Sequence, residues 1–199
     1  MKYGTAAATL FAAAVALTAA QARADTKFLS FDRGHTHIMF AATHLGLSTT
    51  YGEFEDFDGR VVLDTNRPNT VVVEVAVQIA SLDSGLAARD ENLLGRQWFD
   101  ADTHPVMTFV ATGFQRTGET TGILTGDLTL KGVTRPIDLN VTFNGTERDP
   151  FSVRKIRWGF SATGSLSRSA FGMDFGSAFV GDEVSLLIET ELIETRDER

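Results

Sequence analysis

The sequence predicts an all-β fold built from antiparallel strands. Apolar and polar residues alternate with a period of two along several segments, short polar or glycine-bearing turns separate these segments, and no strand–helix–strand pattern occurs. Such alternation is typical of strands with one face against a dry interior and the other in water. The strands must also close or stack, because a free sheet edge invites pairing with other chains.

Five segments show the alternation most clearly. Their apolar positions are Val71, Val73, Val75, Val77 and Ile79; Leu124, Leu128 and Leu130; Ile137, Leu139, Val141 and Phe143; Ile156, Trp158 and Phe160; and Val184, Leu186 and Ile188. Short polar or glycine-bearing stretches beside these segments predict turns at 66–69, 117–119, 131–132 and 144–145. An eight-stranded barrel of such strands is either filled by side chains or holds one small ligand, and the pattern alone leaves a filled sandwich and a hollow barrel open.

One stretch has a different composition. Leu86 to Gln97 combines leucines with intervening charged residues and is bracketed loosely by Gly85 and Gly95, and it predicts a short helix over part of one end of the closed sheet. Within it, Arg89 and Asp90 have two interpretations. They are a salt-bridge and capping pair that fixes the loop, or Arg89 meets an anionic headgroup, since guanidinium pairs well with phosphate.

The N-terminus has the features of a secretory signal peptide. Lys2 precedes an uncharged, alanine-rich run over 5–20, and an A-x-A pattern at 22–24 precedes Asp25. The run is shorter than the ~20 residues that a membrane-spanning helix needs. We therefore expect residues 1–24 to be removed and residues 25–199 to form one exported domain. The formal net charge of −8 disfavours nucleic acid as a partner.

Phenylalanine is unusually common, with 15 residues against 2 Tyr and 2 Trp. A hydrocarbon ligand needs a wall without unsatisfied polar groups, and Phe supplies one. A solid core accounts for the same composition, so the count raises the hypothesis of a lipid cavity without establishing it.

The histidines are the strongest indication of metal chemistry. His35 and His37 lie two apart on a strand and so share a face, and His104 would complete a set for a metal-dependent barrel enzyme. His44 lies an odd number of residues from both, which conflicts with one shared site. No cysteine exists and Ser169 lacks a nucleophile elbow. We predict no metal ligand, no cofactor and no enzyme activity.

Several motifs together resemble the YceI-like family of periplasmic polyisoprenoid-binding proteins. They run in order along the chain: 31–36 (FDRGHT), 44–46 (HLG), 52–59 (GEFEDFDG), 89–90 (RD), 98–101 (WFDA), 105–109 (PVMTF), 126–136 (GDLTLKGVTRP), 168–173 (RSAFGM) and 180–184 (VGDEV). The chain departs from the family where Trp98 replaces a common Phe and where His37 replaces a non-histidine residue.

The resemblance implies an antiparallel, eight-stranded, lipocalin-like β-barrel with a tunnel, and with the short helical segment near 86–97. It implies a periplasmic carrier or sequestering protein for a long isoprenoid, either a polyprenyl phosphate or the tail of a quinone. Transient membrane or membrane-protein contact and a homodimer are left open as partner states. A metal-dependent enzyme and a filled-core structural or stress-response barrel are the alternatives.

Two groups of residues are predicted to form the lipid site. The tunnel wall is expected to contain Phe40, Phe54, Phe57, Trp98, Phe99, Phe109, Phe114 and Phe160. The mouth or headgroup region is expected to contain His35, Arg89 and Asp90, because a charge midway along a hydrocarbon tunnel would be desolvated at a cost of several kcal/mol.

The export hypothesis predicts the mature N-terminus. Protein recovered from the periplasm of a Gram-negative host should begin at Asp25 and should have the intact mass of residues 25–199. A replacement of the small residues of the 22–24 pattern by bulky ones should block this processing. Recovery of a chain that keeps the alanine-rich segment would contradict the hypothesis.

Overall fold

The computed structural model describes residues 25–152 and 154–195, so the predicted signal peptide and residues 196–199 lie outside it. The described chain consists almost entirely of strands. They are β1 (Thr26–His44), β2 (Ser48–Phe54), β3 (Phe57–Asp64), β4 (Val72–Gln78), β5 (Leu82–Asp83), β6 (Val106–Arg116), β7 (Thr121–Leu130), β8 (Val133–Arg148), β9 (Ile156–Ser167) and β10 (Val180–Thr195). A helix, α1 (Ala87–Leu94), lies within the predicted helical stretch.

The strands close into an antiparallel barrel. β3, β4, β6, β7, β8, β9 and β10 pair in that order, and β1 pairs with both β3 and β10. β2 pairs with the second half of β1 and β3 with the first half, so β2 and β3 act as one interrupted strand. β4 and β5 are divided in the same way. The eight-stranded antiparallel barrel predicted from the sequence is therefore confirmed.

The two ends of the barrel are different. At one end, here called the helix end, lie α1, the turn at 45–47 and the segment 168–179, and the Leu45 amide donates to the Phe179 carbonyl over 2.7 Å. At the other end, called the loop end, lie the loops 65–71, 117–120 and 149–155. No helix among the described residues is long and apolar enough to cross a membrane.

Two of the predicted turns had opposite outcomes. Lys131 and Gly132 both have positive φ, 51° and 75°, and join β7 to β8 in a two-residue hairpin of the expected kind. The prediction of a turn at 144–145 was wrong. β8 continues through Asn144 and Gly145, and the register against β9 shifts there, with Gly145 at φ 129°. The extra residue is absorbed as a β-bulge, which increases the bend of the strand without ending it.

The packed core is concentrated at the helix end. Phe54, Ile79 and Phe171 belong to a buried cluster that also takes in residues from β7 and from α1. A smaller cluster, formed by Leu29, Val61 and Leu192, lies towards the loop end. Many other inward-facing residues, such as those of β9, are only half-buried. The interior of the barrel is therefore not filled along its whole length.

Glycines on β7 make room for aromatic rings. The buried positions of β7 alternate from Gly122 to Leu130, so two of the five inward positions carry no side chain. The ring of Phe114 lies over Gly122, and that of Phe109 lies over Gly126, where a Cβ would come within 2.2 Å of each ring. Phe rings that cover glycines on a neighbouring strand stabilise its register and lie flat along the wall.

We predict that Gly126→Ala destabilises the barrel by about 1–3 kcal/mol, since overpacking forces side chains and backbone to shift. The added Cβ would meet the Phe109 ring and would also come within 2.8 Å of the Val110 carbonyl, which cannot move freely. Urea unfolding measures the change. Gly113→Ala is the control, because nothing lies within 4 Å of its Cβ position. Equal unfolding midpoints for the two variants would contradict this account.

Candidate ligand-binding cavity

A cavity of about 760 Å³ lies inside the barrel. This is within the range of ~300–1,000 Å³ that is usual for ligand sites. Its lining includes Thr65 and Arg116 at the loop end and Phe179 and Val180 at the helix end, so it extends along most of the barrel. Between the ends the lining is almost entirely aliphatic and aromatic.

Strand alternation places the wall residues. On β4, Val73, Val75 and Val77 line the cavity, whereas Glu74 lies outside and accepts from Arg60 Nε over 2.8 Å. The predicted apolar positions of β7, β8 and β10 line the cavity in the same way. Because successive side chains of a strand point to opposite faces, a closed sheet with one apolar face necessarily has an apolar interior.

Polar groups midway along the cavity satisfy each other. The hydroxyl of Thr36, which is 3% exposed, lies 2.8 Å from the hydroxyl of Thr190, and both side chains belong to the lining. Each group therefore has a partner without help from a ligand. This leaves the middle of the cavity suited to hydrocarbon.

Seven of the eight aromatic residues predicted for the wall lie there. They are Phe40, Phe54, Trp98, Phe99, Phe109, Phe114 and Phe160. Phe57 is the exception, since its ring is 2% exposed and packs edge-on against Phe31 at 5.8 Å. Phe57 begins β3 at the interruption after β2, so it belongs to the packed core and not to the wall. Contact of these residues with a lipid stays a prediction.

Other residues of the wall are absent from the aromatic set predicted for it. Phe31 and Phe143 line the cavity, as do Met39, Met107 and many branched aliphatic residues. Aromatic type alone does not identify them, whereas the alternation of the strands does identify the inward face. The aliphatic residues supply most of the wall, and the aromatic ones close the gaps above glycines.

The predicted mouth residues separate into different roles. Arg89 lines the cavity at the helix end, where Nε donates to the Ser84 hydroxyl over 2.7 Å and an Nη donates to the Ser84 carbonyl over 2.5 Å. Asp90 is outside the lining and accepts from the Ser84 amide over 2.9 Å. His35 is exposed on the outer surface, where its Nδ1 lies 2.9 Å from Asp32. Arg89 alone of the three adjoins the cavity.

The four histidines do not form one site. His37 pairs with Glu53 on the outer surface, with Nδ1 2.6 Å from the carboxylate, and His35 lies in a bulge of β1. His104 lies beside the 131–132 turn, and His44 is at the helix end of the cavity. The metal-dependent enzyme built on these residues therefore has no geometric support among the described residues.

The bulge of β1 instead brings charged groups together on the outside of the barrel. Asp32, His35 and Glu191 lie close enough to share an ion. However, the guanidinium of Arg157 already bonds to Asp32, to Glu191 over 2.8 Å, and to Asp149 over 3.0 Å. This arginine ties β1, β9, β10 and the 149–155 loop together. Burial alone would raise the pKa of Asp32, but hydrogen bonds from Arg157 and His35 outweigh it and lower that pKa.

The chain matches the family model described as the YceI-like domain over residues 29–192. A UPF0312 protein of Photorhabdus laumondii is 36% identical over 182 residues, which cover 92% of this chain and 93% of that protein. A UPF0312 protein of Pseudomonas putida strain W619 is 37% identical over 157 residues, which cover 79% of this chain and 81% of that protein.

Solved structures share the fold. Burkholderia cenocepacia BcnA has a TM-score of 0.73 at 25% identity and covers 83% of this chain and 99% of its own. The Campylobacter jejuni YceI protein has a TM-score of 0.69 at 28% identity, and the match covers 77% of this chain and 90% of that protein. A polyisoprenoid-binding domain from Saccharophagus degradans has a TM-score of 0.60 at 14% identity and covers 84% and 98%, a likeness of fold alone.

The geometry around Arg157 predicts a pH dependence of stability. Because folding lowers the pKa of Asp32 below its ordinary value, the stabilisation is present above about pH 4 and is lost as pH falls through the folded-state pKa. Asp32→Asn should therefore unfold at lower urea than the parent protein at pH 7, and the difference should shrink at pH 3. Asp102→Asn, an exposed control, should follow the parent at both pH values. A difference that is constant with pH would contradict the assignment.

Proposed function

The chain belongs to the YceI-like family, and from that premise we propose that it binds a long isoprenoid lipid inside its barrel. One observation carries the proposal, namely the apolar cavity that extends along most of the barrel. A prenyl chain is long, narrow and without hydrogen-bonding groups, so it matches the shape and the chemistry of this space.

Burial of the lipid supplies the binding free energy. Each Å² of apolar surface removed from water contributes about 25 cal/mol, so a long hydrocarbon gains far more than a short one in the same tunnel. Water is poorly accommodated in such a space, because aliphatic and aromatic side chains offer it few hydrogen-bond partners. A preformed cavity also avoids much of the ordering cost of binding.

The filled-core alternative fits the structure less well. A solid core would bury the inward residues of β8 and β9 completely, yet Val141, Phe143 and Phe160 are only half-buried and face the cavity. Natural cores contain few voids larger than a water molecule, so about 760 Å³ of apolar space indicates a ligand site. The polyisoprenoid-binding domain of Saccharophagus degradans has the same fold, which supports the choice of lipid class.

A carrier or sequestering role outside the cytoplasm, without catalysis, completes the proposal. The predicted signal peptide supports export to the periplasm, where a lipid that is nearly insoluble in water needs a soluble carrier. Exposed apolar side chains at the helix end, Leu45, Leu47 and Phe179, support a transient contact with a membrane.

The proposal predicts that lipid co-purifies with the protein. Organic extraction followed by mass spectrometry should return an isoprenoid from the parent protein, and Phe109→Asp should return none, because it places a carboxylate on the path of the tail. Val110→Asp is the matched control, since Val110 is the next residue on β6 and is 45% exposed. Circular dichroism establishes that both variants fold. A folded Phe109→Asp protein that keeps its lipid would refute this placement of the tunnel.

A further inference from the structure

The two tryptophans of the chain have an unusual property in common. Trp98 and Trp158 both line the cavity, and the indole Nε1 of each is buried without an acceptor among the described residues. A buried indole N–H normally finds a partner, so each unpaired donor requires an explanation. An acceptor atom carried by the ligand would supply one. The two tryptophans lie towards opposite ends of the barrel, and the surrounding charges distinguish them.

Trp98 is held firmly at the helix end. It is 7% exposed, and the ring of Phe175 packs edge-on against it at 5.7 Å. The guanidinium of Arg168 stacks over the indole, with Cζ 5.2 Å from the ring centroid. A ring packed in this way offers its N–H in a fixed orientation, which favours binding of an acceptor at a defined position.

Arg168 is a buried cation without a carboxylate partner. It is 3% exposed, and its bonds go to backbone carbonyls: Nε to Gly181 over 2.9 Å, Nη2 to Val180 over 2.9 Å, and Nη1 to Phe175 over 2.8 Å and to Met173. It forms no ion pair within the described ranges 25–152 and 154–195. These hydrogen bonds hold the segment 173–181 in place, but carbonyl oxygens do not neutralise the charge of the guanidinium.

The carboxylate of Asp182 lies near the charge of Arg168 but forms its hydrogen bonds with other groups. Its carboxylate accepts from the Ser167 hydroxyl over 2.5 Å and from the Ser169 amide over 3.0 Å. Hydrogen bonds from Ser167 and Ser169 are the main cause that lowers the pKa of Asp182, and the charge of Arg168 adds to them. One of the five guanidinium N–H groups of Arg168 is left over after its four carbonyl bonds.

Charge along the cavity is asymmetric. Among the residues that the structure describes, the helix end of the lining contains the two guanidinium groups of Arg89 and Arg168 and no carboxylate. The loop end contains one of each sign, Arg116 and Glu119. An anion is therefore favoured at the helix end and gains little at the other, although an unpaired indole exists at both.

We propose that Trp98 Nε1 and Arg168, with Arg89 at the same end of the cavity, form a subsite for an oxyanion head of the lipid, so that the apolar tail runs towards the loop end. This inference rests on the proposed function and adds the class of head, a phosphate rather than a neutral group, and its orientation. A guanidinium and an indole N–H both donate to oxyanions, and bonds to charged acceptors are the strongest of their kind.

The test uses the mature protein after removal of lipid and two probes that differ only in the head, farnesyl monophosphate and farnesol. Displacement of the neutral fluorophore N-phenyl-1-naphthylamine reports their affinities. Trp98→Phe keeps a ring in place and removes the donor, so it should weaken farnesyl phosphate about ten-fold or more and leave farnesol within about two-fold. Trp158→Phe, the matched control, should leave the ratio of the two affinities unchanged.

The charge asymmetry is tested by a second pair of variants. Arg89→Gln should lower the affinity for farnesyl phosphate several-fold more than Arg116→Gln does, and neither should alter the affinity for farnesol appreciably. Arg168 donates to four main-chain carbonyls, so a substitution there would disturb the fold as well as the binding. Trp98→Phe and Arg89→Gln carry the test instead. Circular dichroism and the urea midpoint of each variant establish that it is folded.

The outcomes separate the inference from the function. If both probes bind but Trp158→Phe or Arg116→Gln discriminates more strongly against the phosphate, the orientation is reversed and the inference is overturned. Equal losses for both probes would also overturn it. If inorganic phosphate competes as well as farnesyl phosphate, the subsite serves a free anion and not a lipid head. If neither probe displaces the fluorophore, the proposed function itself fails.

Discussion

The apolar inner face of a closed sheet is the feature on which the rest of the structure depends. Closure gives every strand except the two-residue β5 a neighbour on both sides, so the backbone hydrogen bonds are satisfied within the sheet and the interior is free of them. Period-two alternation then fills that interior with apolar side chains alone. An interior of this kind is stable either when side chains fill it or when an apolar ligand does. In this barrel the side chains fill it only in part.

Stability must therefore come mainly from places other than the middle of the barrel. The buried cluster around Phe54, Ile79 and Phe171 packs the helix end, and β1 and β10, near the two ends of the described chain, close the ring. On the outer surface Arg157 links the bulge of β1 to β9 and β10, beside the seam of closure. Because packing at one end and ion pairs outside the wall stabilise the barrel, the cavity does not have to be filled by side chains and can stay open.

The antiparallel strands were predictable from the sequence because alternation is a local signal, and so was the turn at Lys131–Gly132. Closure into a barrel was not contained in the alternation, which suits a sandwich equally well, and it was implied only by the family resemblance. Asn144–Gly145 carries the same kind of local signal, yet the pairing of β8 with β9 on both sides of it overrides the turn. Phe57 could not be separated from the wall by residue type, since a core and a tunnel both suit Phe. The unpaired state of the Trp98 donor depends on what surrounds it in three dimensions, and no pattern in the sequence reports that.

Hydrocarbon binding alone is poorly directional. A hydrocarbon chain has about the same binding free energy in either orientation against a uniform apolar wall. A long chain could also slide along the tunnel at little cost in free energy. Polar groups at one end change this, because a head that bonds to them fixes both the direction and the position of the tail. In this protein the hydroxyls of Thr36 and Thr190, midway along the cavity, satisfy each other, and the loop end has one charged group of each sign. Among the described lining residues, the helix end has two guanidinium groups and no carboxylate, so selection among lipids with similar tails would rest on their heads.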